Sequence, residues 1–264
     1  MIICINMKKI ILFFFLFQVN NLMAQTKMNI YYTNGSMLSI PISDIDTLYY
    51  INGNTCPVTV TDVDGNVYNV VKINEVCWMK ENLRTAHYND GTVIPTNLSW
   101  SQWNSTTSGS CADYNNDTAN SSVYGKLYNW YALADTSELC PVGWHESEKW
   151  EWNELLKFID ANADTNCTQC ISSSSAGGFL KESGTAHWGT PNVGANNSVD
   201  FTALPGGFHT GQGFSNISVA GYWWTAFSVS STVAINLHIG YNLSGINKYL
   251  GAKNNGYSVR CVKD

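Results

Sequence analysis

Charge is what this sequence has least of. Only 13% of its 264 residues are Asp, Glu, Lys or Arg, against about 25% in an average soluble domain. The formal net charge is −6, with 14 Lys and Arg set against 20 Asp and Glu. Phosphate-binding surfaces need clustered cations, so nucleic acid is excluded as a partner. Proline is scarce, at six, and no apolar run reaches the about 20 residues that a membrane-spanning helix requires. Gly-x-Ser-x-Gly, a phosphate loop and His-Glu-x-x-His do not occur, and the five histidines are isolated from one another. The hydrolase, nucleotide-binding and zinc-protease classes built on those motifs are excluded with them.

The polar share is filled by about thirty Asn, by 21 Gly, and by Ser and Thr. Asn and Gly both tolerate positive φ, so many short elements joined by turns are expected. At 44% hydrophobic and 13% aromatic, the chain can bury a core, and wholesale disorder is excluded.

Residues 1–24 read as a secretory leader. Lys8 and Lys9 precede the apolar run Ile10–Phe17, and Ala24 stands at the cut. Met7, directly before the lysines, is an alternative start. Cleavage after Ala24 would shift the net charge from −6 to −8 and leave seven of the eight cysteines. The mature protein is expected in the periplasm, at the cell surface or secreted, where disulfides persist. Seven is odd, so one thiol is left over.

Residues 25–57 read as a small β segment and linker. Met28–Thr33 alternates, Asn34-Gly35 is a hairpin turn, Met37–Ile42 resumes the strand, and Asn52–Pro57 links onward. A second hairpin spans Val58–Ile73 around Asp64-Gly65-Asn66. Helices are expected at Tyr124–Ala134 and Glu148–Ala161. In the latter, Trp152, Leu155, Leu156 and Ile159 recur at helical spacing and Ser147 is the candidate N-cap. Brief β runs follow Phe179. The order implies an α+β fold.

Several segments then carry a resemblance. Asp62-Val-Asp-Gly-Asn-Val-Tyr, Trp78-Met-Lys-Glu-Asn-Leu-Arg, Tyr88-Asn-Asp-Gly-Thr-Val-Ile-Pro, Tyr124-Gly-Lys-Leu-Tyr-Asn-Trp-Tyr-Ala, Leu139-Cys-Pro-Val-Gly-Trp-His, Phe201-Thr-Ala-Leu-Pro-Gly-Gly, Gly221-Tyr-Trp-Trp and Tyr257-Ser-Val-Arg-Cys resemble the Fibrobacter succinogenes major paralogous domain family, in order over residues 58–264. The resemblance implies an exported Bacteroidetes module of C-type-lectin-like fold, related to formylglycine-generating enzymes, with short antiparallel sheets, two helices and long loops. It implies no established activity. Glu146-Ser-Glu-Lys, Cys77 and the insert Asp164–Cys170 depart from the family pattern.

The resemblance also implies a disulfide from Cys140 to Cys261, tying the second helix region to the last strand. Cys77–Cys111 is the next pair expected, Cys167–Cys170 a local bridge pinning the insert, and the fate of Cys56 stays open. A redox role for Cys167-Thr-Gln-Cys170 would want a helix N-terminus, and zinc would want a second pair or a nearby His. Neither is visible, and no metal ligand set is assigned. Calcium is possible but unsupported at Asp62-Val-Asp-Gly-Asn66 and Tyr114–Asn120, because Asp-Gly between β runs is a turn and the terminal Glu of a calcium loop is missing.

Aromatics give the binding candidates. Trp100 and Trp103 lie among Ser, Gln and Asn on an expected loop, where rings stack on sugar faces and amides bond hydroxyls. Trp188 beside His187, and His209 and Gln212 within Phe208–Phe214, sit on further loops in the half where the resembled fold displays binding loops. Trp130, Trp144, Trp152 and at least one of Trp223 and Trp224 are expected in the core. The expectation is therefore a non-catalytic module that recognises an extracellular glycan or protein. The rivals are a thiol- or metal-dependent oxidase of the formylglycine-generating type, and a purely structural surface protein.

Overall fold

The computed structural model describes residues 2–6, 27–31, 37–41, 47–51 and 56–264. The chain forms two compact units, Met1–Thr55 and Cys56–Asp264. In the first, β1 (Ile2–Asn6) pairs in parallel with β4 (Thr47–Ile51), and β2 (Lys27–Tyr31) pairs antiparallel with β3 (Met37–Pro41). The apolar run and cut site of the expected leader lie outside the described residues.

The second unit mixes α and β, with sheet predominating. One sheet gathers β5 (Thr59–Thr61), β6 (Val67–Ile73) and β7 (Val76–Met79) with two later strands, β10 (Trp144–Glu146) and β17 (Cys261–Lys263). Its order is β10-β17-β7-β6-β5. The six-stranded sheet is built from β11 (Cys170–Ser173), β12 (Gly206–Thr210), β13 (Gly213–Ile217), β14 (Ala220–Ser228), β15 (Val233–Gly240) and β16 (Ile246–Ala252). Its order is β11-β16-β15-β14-β12-β13, antiparallel except for the contact of β12 with β14. A small pair, β8 (Cys111–Ala112) and β9 (Leu127–Tyr128), lies between β7 and β10 in sequence.

Among the described residues five α-helices occur where two were expected: α1 (Trp100–Ser105), α2 (Thr118–Tyr124), α3 (Trp130–Leu133), α4 (Lys149–Ile159) and α5 (Ala176–Leu180). The expected helix Tyr124–Ala134 is broken into pieces. Gly125, at φ +78°, ends α2, and Tyr128 pairs with both Cys111 and Tyr257. Asn129 then restarts the chain as α3 by accepting from Ala132 N. Turn and cap chemistry thus override a largely apolar run. The other helix forms as α4, with Trp152, Leu155 and Leu156 buried. Its N-cap is Glu148, whose N–H donates to Glu151 Oε2, whereas Ser147 Oγ accepts from the Trp152 indole at 2.8 Å.

Successive residues of a strand face opposite sides, and two strands use this to divide the core. Trp223 faces one cluster with Trp78, Trp152, Trp188 and Phe201. Trp224 faces the other with Met79, Tyr88, Tyr128 and Trp144. Trp130 joins this second cluster, so every tryptophan expected in the core lies in one cluster or the other.

Cys140 is joined to Cys261 and Cys167 to Cys170. The expected Cys77–Cys111 bridge is replaced by Cys56–Cys77, and Cys111 is free and buried. The reason is register: Cys77 lies in β7, within reach of the chain entering β5, while Cys111 pairs with Tyr128 in another sheet.

Candidate functional site

The segment carrying Trp100 and Trp103 is a helix, not a loop. Ser99 Oγ accepts from Gln102 N, and Gln102 Oε1 accepts from Ser99 N at 2.9 Å. This reciprocal cap satisfies donors that a helix start otherwise leaves unpaired. The helix turns Trp103 inward, fully buried, and leaves Trp100 60% exposed. The Trp103 indole donates to Asn254 O at 2.6 Å, and its ring meets the His209 imidazole with centroids 4.2 Å apart.

Three segments converge here: α1, the β12–β13 turn, and the turn at Asn254. A β-carbon on Gly211 would lie 2.5 Å from Asn104 Cβ, so only glycine lets that turn approach the helix. One on Gly213 would lie 3.5 Å from the Trp100 ring, which places the exposed indole beside the turn carrying Gln212. Asn254 Nδ2 donates to Asn104 O at 2.8 Å and closes the corner. Trp100, Asn104 and Gln212 are exposed together there.

The other candidates are structural. His209 is 2% exposed, held between Trp103 and Phe214, and among the described residues nothing bonds its Nδ1. Burial pushes its pKa down to about 4, so the imidazole is neutral. Trp188 is 2% exposed, and its indole donates to Ala203 O at 2.9 Å. Trp103, Trp188 and His209 are therefore withdrawn as contact residues. The corner retains Trp100 and Gln212, with Asn104 added.

The carboxylates considered for calcium are occupied by the protein itself. Asp62 accepts from Asp64 N, Asn66 N, Asn66 Nδ2 and Tyr68 Oη. Asp64 accepts from Ala86 N and Thr85 Oγ1 and pairs with His87 Nδ1, and these partners lower its pKa although burial raises it. The hairpin turn is thereby stapled to residues 85–87. In the other segment Asp113 pairs with Lys126 at 2.6 Å and Asp117 caps α2. Asp164 stands close to the Cys167 and Cys170 sulfurs, but as a disulfide these offer no thiolates.

Sequence reasoning missed the fully buried cations Lys181, Lys248 and Arg260. Lys181 Nζ donates to the carbonyls of Val193, Gly240 and Leu243, and burial lowers its pKa to about 8. Lys248 Nζ donates to Asn153 Oδ1 and Thr165 O. Arg260 donates to Asn82 Oδ1 and to the carbonyls of Met79, Phe201 and Thr202. Each pins loops through backbone oxygen. Only Arg260 had a signal, as part of the Tyr257-Ser-Val-Arg-Cys261 segment.

A family model described as Fibrobacter succinogenes major domain matches residues 71–263. No curated protein and no solved structure matches the chain.

Proposed function

The chain belongs to the Fibrobacter succinogenes major domain family, and from that premise we propose an exported, non-catalytic module that recognises an extracellular glycan or protein surface. Its fold is read as C-type-lectin-like, its mature chain as starting near Gln25, and its destination as periplasm, cell surface or medium. Three disulfides suit such a compartment. Among the described residues no helix is long and apolar enough to cross a membrane.

The observation that carries the reading is the pairing of exposed Trp100 with Gln212 and Asn104 on a rigid corner. An indole face covers the apolar side of a sugar ring, and flanking amides bond its hydroxyls. The oxidase reading needs two adjacent reduced cysteines. Within residues 56–264 the one free cysteine is Cys111, which is buried, with its thiol pushed up to about 12 by desolvation.

The test is binding of the full chain to a panel of polysaccharides and host glycans, with and without EDTA. Trp100→Ala should weaken retention about tenfold, the loss of roughly one aromatic contact, and Gln212→Ala should weaken it less. No glycan retained, or equal retention of the wild type and Trp100→Ala, would overturn the reading.

A further inference from the structure

One face of the six-stranded sheet carries a row of rings that the corner does not use. The register puts Tyr222 opposite His238, His238 opposite Asn247, and Asn236 opposite both Trp224 and Tyr249, so all of these share a face. Trp224 closes one end of this face into the core. Beyond it, Phe208, Tyr222, His238 and Tyr249 are neighbours from strand to strand across β12, β14, β15 and β16, with Tyr249 set diagonally to His238. Successive ring centroids are 5.1, 4.8 and 5.6 Å apart. Phe208, Tyr222 and His238 are half-buried and Tyr249 is 42% exposed. The rings are fixed: Tyr222 stacks on Tyr257 at 5.3 Å, and Asn216 Nδ2 donates to the Tyr222 hydroxyl at 2.9 Å.

Two features mark this row as more than leftover core. Amides border it, since Asn247 Nδ2 lies 3.3 Å from His238 Nδ1 and Asn236 Nδ2 reaches Tyr249 O. Asn236, 1% exposed on the same face, has no donor to its Oδ1 among the described residues. A buried acceptor without a partner is costly and rare in a finished core. The row is also uncharged. Its only titratable side chains are tyrosines and His238, whose pKa burial holds below the ordinary imidazole value. Charge complementarity therefore selects a neutral ligand, and spaced rings with amides select one bearing repeated apolar faces and hydroxyls.

We propose that Phe208, Tyr222, His238 and Tyr249 form a second binding surface, separate from the Trp100 corner, that takes an extended neutral polysaccharide chain. Phe208 meets Tyr222 edge-on and Tyr222 is backed by Tyr257, so the tilted rings of Tyr222, His238 and the exposed Tyr249 supply the contacts with successive sugars while Phe208 walls the end of the row. The chain lies across the strands, and hydroxyls bond the bordering amides.

The experiment is affinity electrophoresis of the full chain in gels containing soluble mixed-linkage β-glucan, xyloglucan or polygalacturonate, with size-exclusion chromatography alongside. The wild type should be retarded by a neutral polymer and not by polygalacturonate. Tyr249→Ala should weaken retardation about tenfold, and Tyr249→Phe should restore most of it. Tyr249 is exposed, so both variants should keep the wild-type melting temperature, and Tyr222→Phe supplies a second variant that keeps the ring. Loss with Tyr249→Ala but not with Trp100→Ala supports this surface even if the corner reading fails. Loss with Trp100→Ala alone overturns it and leaves the corner standing. No retardation by either neutral polymer, equal retardation by polygalacturonate, or a Tyr249→Ala effect confined to elution volume, which would mean that a second copy covers the row, each overturns it.

Discussion

Arg260 Nε donates to Asn82 Oδ1 at 2.8 Å, at a point where neither side chain is exposed. The same amide oxygen accepts from the Trp223 indole at 2.8 Å, and the amide nitrogen donates to Tyr124 O and Ser258 Oγ. One asparagine therefore joins the end of β7, the α2 terminus, the middle of β14 and the approach to β17. The guanidinium is neutralised by no carboxylate in this contact set. Three backbone carbonyls and the Asn82 amide take its protons, while it lies over the Phe201 ring at 4.3 Å.

Asn82→Ala should therefore be among the most damaging single substitutions in the chain. It strands two buried donors, Arg260 Nε and the Trp223 indole, at about 1–3 kcal/mol each. A loss of about 3–5 kcal/mol by urea unfolding is expected, with Arg260→Met similar in size. A change under about 1 kcal/mol for Asn82→Ala would show that the hub is dispensable.

The three bridges should rank by the loops they close. Cys140–Cys261 spans 121 residues, Cys56–Cys77 spans 21 and Cys167–Cys170 spans 3. Chain entropy assigns about 5, about 3 and under about 2 kcal/mol to them. Paired Cys→Ala variants should melt in that order. Peptide mapping without reductant should find Cys77 linked to Cys56, and Cys111 alkylated only after unfolding. A Cys77–Cys111 peptide would contradict the structure.

Much of the hairpin framework was legible because its signals are local: Asp64-Gly65-Asn66 between alternating runs dictates the β5–β6 turn. The Tyr124–Ala134 segment misled because apolar density says nothing about Gly125 and Asn129 cutting it. The corner was half legible. Polar neighbours suggested exposure for Trp100 and Trp103 alike, yet the Ser99–Gln102 cap makes a helix that sends Trp103 inward. The ring row was illegible, since its members lie on four strands whose register no local pattern reveals.

Two histidines should tilt the pH profile of stability in opposite directions. His145 bonds Glu151 at 3.0 Å and Asp264 at 2.7 Å, and these partners raise its pKa to about 9. A folded value above the unfolded 6.5 gives stabilisation that is complete below pH 6.5 and lost as the pH rises through 9. His209 does the reverse. Held down to about 4 by burial, it contributes fully above pH 6.5 and loses that contribution as the pH falls towards 4. For buried His209 the full swing is up to about 3 kcal/mol, and for His145, whose side chain is 35% exposed, solvent screening makes it smaller. Thermal melts across this range should show His145→Gln flattening the alkaline limb and His209→Phe the acid limb. Unchanged limbs in both variants would remove these residues from the profile.

Gly211→Ala should separate the architecture of the corner from its stability. The new methyl would lie 2.5 Å from Asn104 Cβ and 2.6 Å from Asn104 Oδ1, and a Cβ cannot swing aside as a side-chain tip can. Either α1 or the β12–β13 turn must shift, which moves the Trp100 indole away from Gln212. Both segments lie at the surface, so the cost in unfolding free energy should stay within about 1–2 kcal/mol. Glycan retention at the corner should fall at least as far as with Trp100→Ala, because displacing a ring by about 1 Å from its productive geometry loosens the whole site. Retention equal to wild type, with a crystal structure showing α1 displaced, would mean that Trp100 acts alone and that its setting beside Gln212 is incidental.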